Sequence, residues 1–472
     1  MDRRKFLRNS GIIGAGTIAT GPLLGMNGIQ KDWTAPLNGP EKQAKNIIFL
    51  VSDGMSTGTL NMTDLLMRSK LGKRSRWISL YEQNKAKRAL MDTASANSFV
   101  TDSAAAGSSW GGGVRVPNGK LNISKSGETY TPILQKFKIV GKSVGCVTTV
   151  PITHATPASF CVSKKSRSLE PEIAEDYLSL QFDVMMGGGL EFFSKEKRKD
   201  NRDLIGEFKK NGFDVALNKY EMQQYNGSSK PILGVYHEGG LPYTVDQLSD
   251  ENLQKSIPTL AEMTSHAIEK MKQNPNGFVL QVEGGKVDWA AHGNDTPAIL
   301  YDQLAFDDAV GVALDFAEKN KDTLVIITTD HGNSNPGLFY GTEANTNFEK
   351  LYTAKHSHEW ILREVNRNSS VKQVIERVEY ATNCVISDKE AIKLLSYLAD
   401  IDPNSEYNPY KLPFGDLAAI LTSHTNVGWA SNNHSADYVE LAMYGAGAEM
   451  LPPFVKNTDL HQFMLSASHV TG

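Results

Sequence analysis

Three short apolar stretches decide the fold, and the first of them, residues 46–53, reads NIIFLVSD. Residues 277–283 (GFVLQVE) and 323–330 (TLVIITTD) repeat its pattern, a run rich in Val, Ile and Leu that ends in a carboxylate. Continuous apolar runs of this length are typical of central parallel strands that are covered on both faces. We therefore predict three buried strands that end at Asp53, Glu283 and Asp330.

The segments around these strands indicate an α/β fold. Residues 295–316 place Pro297 in a first turn and then space their apolar side chains as a helix does, and residues 143–150 and 439–444 are further strand candidates. Alternating strands and helices predict a central, mostly parallel sheet sandwiched by helices. Such sheets bind ligands beyond the carboxyl ends of their strands, so three acidic residues at three such ends predict a functional site.

Composition excludes several classes of protein. The 472 residues carry 49 Lys+Arg and 53 Asp+Glu, with 40% hydrophobic residues, which excludes fibrous and wholly disordered chains and permits a large core. A net charge of −4 gives no electrostatic reason to expect nucleic acid or an anionic membrane as a partner. Cys146, Cys161 and Cys384 are an odd number, lie far apart and form no C-x-x-C, so we expect neither a disulfide framework nor a cysteine zinc site.

The N-terminal residues 1–30 have the pattern of a twin-arginine export signal. The pair Arg3-Arg4 lies in a basic start and a mildly apolar, Gly-rich stretch follows over residues 11–24. Residues 14–19 (GAGTIA) match the dinucleotide-binding fingerprint in form, but no strand precedes them and we reject the match. We expect a linker over residues 31–44, no membrane span in the mature protein, and a periplasmic or extracellular location; a disordered basic tail is the alternative.

Asp and His residues cluster at spacings that suit a metal. Asp288 and His292 are four residues apart, which puts both on one face of a helical turn, and Asp330 is followed directly by His331. Together with Asp53 these ligand types, without any thiolate, suit zinc in a catalytic site that is not fully closed. Among the remaining histidines His434 is the best further candidate, and His424 is its rival.

Ser103 is the candidate nucleophile. It lies in the stretch TDSAAAG, residues 101–107, where a polar turn runs into small residues that favour a helix. A serine at a helix N-terminus is close to free N–H groups and to the positive end of the helix dipole. No G-x-S-x-G surrounds it, which argues against a Ser-His-Asp hydrolase, but a neighbouring metal could activate the hydroxyl instead. The alternative is a plain helix cap.

Five segments in order carry a resemblance to the alkaline phosphatase family. They are residues 53–56 (DGMS), 101–105 (TDSAA), 154–158 (HATPA), 281–292 with Glu283, Asp288 and His292, and 329–331 (TDH). The match covers about residues 45–331 and resumes at about residue 425. Each piece is weak alone, and their order and spacing make the signal strong.

The resemblance implies a set of roles. Ser103 would become phosphoserine, and Arg167, eleven residues after Thr156, would clamp the phosphate. His434 is favoured over His424 because Tyr444 and Gly445 follow it at the family's spacing. The implied metal ligands are Asp288, His292 and His434 for a first Zn²⁺; Asp53, Asp330 and His331 for a second Zn²⁺; and Asp53, Thr156 and Glu283 for Mg²⁺.

Two positions depart from the best-known bacterial member of the family. His154 stands where that member has Asp, so the third site could take Zn²⁺ instead of Mg²⁺. Trp289 stands where it has Lys, which removes a positive charge near the phosphate and predicts weaker binding of the product. Other members of the family carry His and Trp at these two positions.

The predicted enzyme hydrolyses small phosphate monoesters to an alcohol and phosphate. We expect a catalytic domain over residues 45–334 and 421–472, a crown-like insertion over residues 335–420, and a homodimer, all by resemblance. The alternatives are a phosphodiesterase of the same superfamily, or an exported protein that binds metal or phosphate without turnover. A sulfatase is disfavoured because no Cys/Ser-x-Pro-x-Arg lies at the nucleophile.

Overall fold

A computed structural model describes residues 43–400 and 412–470 of the chain. The predicted export signal, residues 1–30, and all but the last two residues of the predicted linker lie outside the described residues. None of the described helices has both the length and the apolar content that a membrane span requires.

Most of the described strands form one ten-stranded sheet in the order β14-β2-β13-β8-β1-β7-β3-β4-β6-β5. Four shorter strands pair in two small two-stranded sheets. The strands are β1 (Asn46–Val51), β2 (Lys87–Asp92), β3 (Ser143–Pro151), β4 (Val184–Gly188), β5 (Asp214–Ala216), β6 (Ile232–Val235), β7 (Phe278–Glu283), β8 (Thr323–Thr328), β9 (Gly332–Asn333), β10 (Gly337–Leu338), β11 (Val427–Gly428), β12 (His434–Ser435), β13 (Val439–Gly445) and β14 (Phe454–Lys456).

The predicted parallel core is confirmed. The three strands predicted from the apolar stretches are β1, β7 and β8, and β1 pairs in parallel with both of the others. The predicted strand at residues 439–444 exists as β13, and it runs antiparallel to its neighbours β8 and β2. Its direction follows from the chain path, because β12 lies beside the carboxyl edge of the sheet and a strand that starts four residues later must run back from that edge.

Helices surround the sheet. The predicted helix at residues 295–316 is Thr296–Lys319, and the Asp295 carboxylate caps it by accepting from the N–H of Ala298. Within the described residues the α-helices are Thr57–Leu71, Arg76–Glu82, Ser103–Gly111, Ile133–Ile139, Ala155–Cys161, Glu170–Leu180, Leu204–Lys210, Lys219–Gln224, Thr244–Ser249, Glu251–Ser256, Leu260–Met271, Lys286–His292, Thr296–Lys319, Ala344–Glu349, His358–Arg363, Val371–Thr382, Asp388–Ser396, Phe414–Thr425 and Asp459–Ala467.

Apolar packing covers both faces of the sheet. Successive strand residues point to opposite faces, and in β1 Ile47 and Phe49 join one apolar cluster while Ile48 and Leu50 join the other. This two-sided burial explains why β1 reads as a continuous apolar run, and it fixes the strand ends that carry the predicted ligands. The predicted insertion contributes most of a third, smaller cluster, formed by residues between 361 and 421.

Candidate active site

The carboxyl edge of the sheet brings three buried carboxylates together. The register pairs Val51 of β1 with Thr328 of β8 on one side and with Glu283 of β7 on the other. Asp53 and Asp330 each follow their strand by two residues, and Glu283 is the last residue of its own strand. All three side chains are fully buried. The acidic residues that the sequence predicts at separate strand ends therefore share one site.

Ser103 is the first residue of the helix Ser103–Gly111, as the sequence predicts. The Asp102 carboxylate caps the helix by accepting from the N–H of Ala105 at 3.0 Å. The small residues of the helix permit a close approach to the neighbouring helix Ala155–Cys161: a Cβ at Gly107 would lie 2.3 Å from the Ser159 hydroxyl oxygen. Ser103 is buried, and its Oγ lies 3.3 Å from Nε2 of His331.

Asp53, Asp330 and His331 form an inner cluster beside Ser103. Nε2 of His331 lies 3.2 Å from Oδ2 of Asp330 and 3.6 Å from Oδ1 of Asp53. The backbone N–H groups of Gly54 and His331 donate to the other Asp330 oxygen at 2.9 and 3.0 Å, which fixes that carboxylate. Ligand atoms of the three residues all lie within 4.8 Å of one another, so one ion could contact all of them.

Asp288, His292 and His434 form an outer cluster. Nε2 of His292 lies 3.4 Å from Asp288 and 3.1 Å from Nε2 of His434, and the latter nitrogen lies 3.5 Å from Asp288. Both imidazoles place Nδ1 2.9 Å from a backbone carbonyl, of Asn432 for His292 and of Thr101 for His434. A proton on each Nδ1 leaves both Nε2 atoms free as metal ligands, the usual arrangement of ligating histidines.

The two clusters adjoin one another and a third group. The rings of His331 and His434 stack with centroids 3.6 Å apart, which joins the inner cluster to the outer one. On the other side of Asp53, ligand atoms of Asp53, His154 and Glu283 lie within 4.8 Å of one another. The Thr156 hydroxyl donates to Asp53 at 3.4 Å, so this third group contains all three predicted magnesium ligands together with His154.

Arg167 and Trp289 lie at the same site. The Arg167 guanidinium is held by the Asp102 carboxylate at 3.2 Å and lies 2.8 Å from Nε2 of His154. Asp102 precedes Ser103 directly, so this one residue positions the guanidinium next to the Ser103 hydroxyl. The half-buried Trp289 indole meets the His154 ring edge to face, with centroids 6.2 Å apart. The side chains that the sequence predicts near the phosphate therefore contact one another.

Electrostatics indicate that this site is built for cations. Burial raises the pKa of Glu283 to about 7, and burial together with the neighbouring Asp330, Asp288 and Glu283 carboxylates raises the pKa of Asp53 well above its usual value. Burial lowers the pKa of His331 to about 4, which keeps its imidazole neutral, the form that binds metals. Crowded buried carboxylates are stable as anions only beside positive charge.

Orphaned polar atoms support the same conclusion. Among the described residues, Oδ1 of Asp53, Oε1 of Glu283, Oδ2 of Asp330 and Nδ1 of His154 are buried and have no hydrogen-bond partner. Buried polar atoms are nearly always paired, so these four, with Nδ1 of His331 as a fifth, call for an explanation. Divalent cations would satisfy these four atoms, because oxygen and imidazole nitrogen are the ligands such ions take. The residues present fit the predicted metals.

Some residues of the site carry a weaker sequence signal. The Asn333 amide donates to Asp288 at 2.7 Å and holds it in place; its only signal is its position two residues after His331. Asp102 stands next to the predicted nucleophile, and its signal is the capping pattern of an acidic residue before a helix start. His424, the rival of His434, lies on the helix Phe414–Thr425 with its Nε2 3.9 Å from Glu390 of the predicted insertion.

Comparisons with known proteins identify the family of this chain. The sequence model of the family described as "Alkaline phosphatase" matches residues 44–470. The chain is 31% identical to alkaline phosphatase 4 of Bacillus subtilis, over 88% of this chain and 87% of that one, and 30% identical to alkaline phosphatase 3 of the same organism, over 91% and 90%. It is also similar to the crystal structure of Thermus thermophilus alkaline phosphatase, with a TM-score of 0.85 and 30% identity over 96% of both chains. The chain belongs to the alkaline phosphatase family.

Proposed function

We propose that this phosphatase hydrolyses phosphate monoesters through a phosphoserine at Ser103. The observation that carries the proposal is the position of the Ser103 hydroxyl, which lies at a helix N-terminus, 3.3 Å from an imidazole of the inner cluster. Asp102, the residue before it, holds the Arg167 guanidinium at 3.2 Å. A nucleophile, a phosphate clamp and two candidate metal clusters therefore converge at one point.

The outer cluster would hold one zinc ion, and the inner cluster would hold a second zinc ion. Glu283, Thr156 and Asp53 would hold magnesium. Two ions held by these residues would stabilise the attacking and leaving oxygens of an in-line displacement, and positive charge at the inner cluster would favour the ionised form of the Ser103 hydroxyl. Since the four orphaned atoms noted above need cationic partners, the donor set supports this loading.

The chain itself binds and orients the phosphoryl group. The planar Arg167 guanidinium can donate to two phosphate oxygens at once, which a lysine cannot do. Free N–H groups in the first turn of the helix Ser103–Gly111 add positive potential where the phosphoryl oxygens collect charge. Ser103 attacks phosphorus and the alcohol leaves; water then attacks the phosphoserine, which releases inorganic phosphate and restores the hydroxyl. Since all these contacts address the phosphoryl half, selectivity for the alcohol half should be loose.

The decisive experiment compares p-nitrophenyl phosphate with bis-p-nitrophenyl phosphate across pH, with the metal content of every sample measured. Ser103→Ala should abolish monoester turnover and keep the metals. Ser109→Ala is the matched control, because this buried serine lies on the same helix and its hydroxyl donates to the Ala105 carbonyl at 3.1 Å. We expect it to keep most of the activity.

Other outcomes of this experiment would replace the proposal. A preference for the diester would assign the protein to the phosphodiesterases of the superfamily. Bound metal without any turnover would indicate a metal- or phosphate-binding protein. Full activity of Ser103→Ala would exclude the phosphoserine.

The third group has its own test, because His154 adds an imidazole to an otherwise all-oxygen set. We propose that this nitrogen allows zinc to compete with magnesium there. His154→Asp should raise the magnesium content relative to zinc, as measured by elemental analysis after dialysis against both ions. An unchanged ratio would show that His154 does not set the preference.

We also propose that residues 1–30 direct export by the twin-arginine route and that the enzyme is a homodimer. A reporter fused behind residues 1–45 should be exported, and replacement of Arg3 and Arg4 by Lys should block it. Light scattering on the purified enzyme tests the dimer, and a monomer mass would refute it.

A further inference from the structure

Two of the three cysteines lie side by side in the core. Cys146 is on β3 and Cys161 is the last residue of the helix Ala155–Cys161, and their sulfur atoms are 3.7 Å apart. Both residues are fully buried. Cys384, the third cysteine, lies in the separate apolar cluster of the predicted insertion. The pair is therefore isolated from other thiols.

The segment between the two cysteines crosses the candidate active site. The chain leaves β3, turns at the carboxyl edge of the sheet, presents His154 and Thr156, and returns as the helix that ends at Cys161. Contacts fix the end of this helix: the Gln135 amide donates to the Cys161 carbonyl at 2.7 Å, and the Cys146 sulfur lies 4.0 Å from the Pro157 carbonyl. The native fold thus places the two thiols side by side.

We infer that Cys146 and Cys161 form a disulfide when the chain folds in the presence of a disulfide oxidant. A sulfur–sulfur bond is about 2 Å long, so the two sulfur atoms, now 3.7 Å apart, need to approach by less than about 2 Å. One thiolate attacks the oxidant disulfide and releases one thiol of it; the second thiolate then attacks the mixed disulfide and releases the other thiol. The two cysteines lose two protons and two electrons, and the oxidant is reduced to two thiols.

Burial makes the bond easier to form during folding than afterwards. Burial raises the pKa of the Cys146 thiol well above its usual value, so in the folded protein this residue offers little thiolate to an oxidant, and the packed core excludes the oxidant sterically. Once formed, the same burial protects the bond from reductants. The bond would tie the helix that carries Thr156 to β3, and so would fix part of the third metal group.

The experiment refolds the full-length protein, with zinc and magnesium, from the reduced and denatured state. One sample contains glutathione disulfide and the other contains only a thiol reductant. Free thiols are alkylated under denaturing conditions, and the peptides are mapped by mass spectrometry. In the oxidised wild type we expect only Cys384 to be alkylated and the peptides of Cys146 and Cys161 to be joined.

Variants distinguish this pair from accidental oxidation. Cys384→Ala should still form the bond and leave no free thiol, whereas Cys146→Ala and Cys161→Ala should keep the remaining core thiol free. Because the closed loop spans 15 residues, oxidation should raise the thermal midpoint of wild type and of Cys384→Ala by about 3–6 °C. The two core variants should show no such rise.

Two results would overturn the inference. Alkylation of all three cysteines after folding with the oxidant would show that the pair stays reduced. A cross-link that involves Cys384 would show that oxidation does not follow the native proximity. The double variant Cys146→Ala/Cys161→Ala guards against misfolded single variants: if it folds and oxidation still shifts its midpoint, the shift has another cause and the inference fails.

Discussion

The inner and outer clusters use similar ligands in different surroundings. Asp53, Asp330 and His331 are fully buried, whereas the side chains of His292 and His434 are 42% and 16% exposed. The inner ligands follow the ends of β1 and β8, so the strand pairing that forms the core also positions them. The outer ligands come from a short helix and from β12, and backbone carbonyls orient their imidazoles. The position of the inner ligands is therefore coupled to folding of the core, whereas the outer ligands can shift without disturbing the core.

Replacing one histidine from each cluster gives the largest expected effect and tests this difference directly. His331→Ala and His292→Ala should each lower kcat/KM for p-nitrophenyl phosphate at least about a thousandfold, because each removes a proposed ligand of a catalytic ion. Only His331→Ala should also lower the free energy of unfolding of the metal-free protein, by about 2–4 kcal/mol, because it leaves a cavity in the core. Enzyme kinetics and urea denaturation measure the two effects.

His424→Ala is the control for this pair. His424 lies beside Glu390 and away from both clusters, so activity should stay within about twofold of wild type. Equal losses of stability in His331→Ala and His292→Ala would contradict the distinction between the clusters.

The pH dependence of the metal-free protein sharpens the comparison. The Glu283 pKa is raised from 4.5 to about 7, so its protonated form stabilises the fold below pH 4.5 and that contribution is lost as pH rises through 7. Glu283→Gln keeps a neutral side chain at all pH values. Relative to wild type, this variant should gain about 3 kcal/mol of unfolding free energy between pH 4.5 and pH 8.5 in the absence of metal.

Asp302→Asn is the matched control, because burial raises the pKa of Asp302 to about 7 at a place outside the metal clusters. Its pH-dependent gain should have the same sign and persist when the enzyme is loaded with metal. The gain of Glu283→Gln should vanish on loading, since bound cations stabilise the ionised carboxylate. Chemical denaturation at both pH values, with and without metal, measures these gains. A gain in unfolding free energy that persists in metal-loaded Glu283→Gln would exclude Glu283 as a ligand.

The strands and the helix that carry the ligands of the site were predictable from the sequence, for a physical reason. A strand buried on both faces must be apolar throughout, so β1, β7 and β8 stand out in the sequence and their last residues mark one edge of the sheet. The four-residue spacing of Asp288 and His292 likewise predicts their helix, which the structure confirms as Lys286–His292. Local pattern therefore determines these elements and the residues at their ends.

Contacts between distant parts of the chain were not predictable from local pattern. Asn333 meets Asp288 across 45 residues, and nothing in either segment specifies that hydrogen bond. The two core cysteines look unrelated in the sequence, because only the return of the chain after β3 brings them together. The sequence predicts β13 but not its antiparallel direction, since an apolar strand pattern carries no information about direction.

Asp295→Ala should weaken the outer cluster selectively. Asp295 accepts from the N–H of Ala298 and also from the backbone N–H groups of His358 and Glu359, so it ties the region just after Lys286–His292 to the predicted insertion. Loss of this cap and link should cost about 1–2 kcal/mol of stability. It should also speed the chelator-induced release of one of the two proposed zinc ions per chain without speeding the release of the other.

Asp250→Ala is the matched control for that variant. Asp250 caps the helix Glu251–Ser256 by accepting from the N–H groups of Asn252 and Leu253, and this helix supplies no ligand. The control should lose some stability and release both zinc ions at the wild-type rates. Equal acceleration of both ions in Asp295→Ala would show that the two clusters do not respond separately.

Trp289→Lys has the smallest expected effect, and it tests whether a charge beside the outer cluster changes phosphate affinity. Trp289 follows the outer ligand Asp288 and contacts His154 of the third group, so a lysine there would add a positive charge beside the bound phosphate. The inhibition constant for inorganic phosphate should fall by about tenfold, which corresponds to about 1.4 kcal/mol. Trp289→Phe, which keeps a neutral ring, should change it by less than about twofold. Lys286 already places its ammonium group 4.7 Å from the Trp289 ring. A tenfold change of the phosphate inhibition constant in Trp289→Phe as well would therefore mean that the indole acts by holding Lys286. In that case charge at position 289 does not control phosphate affinity.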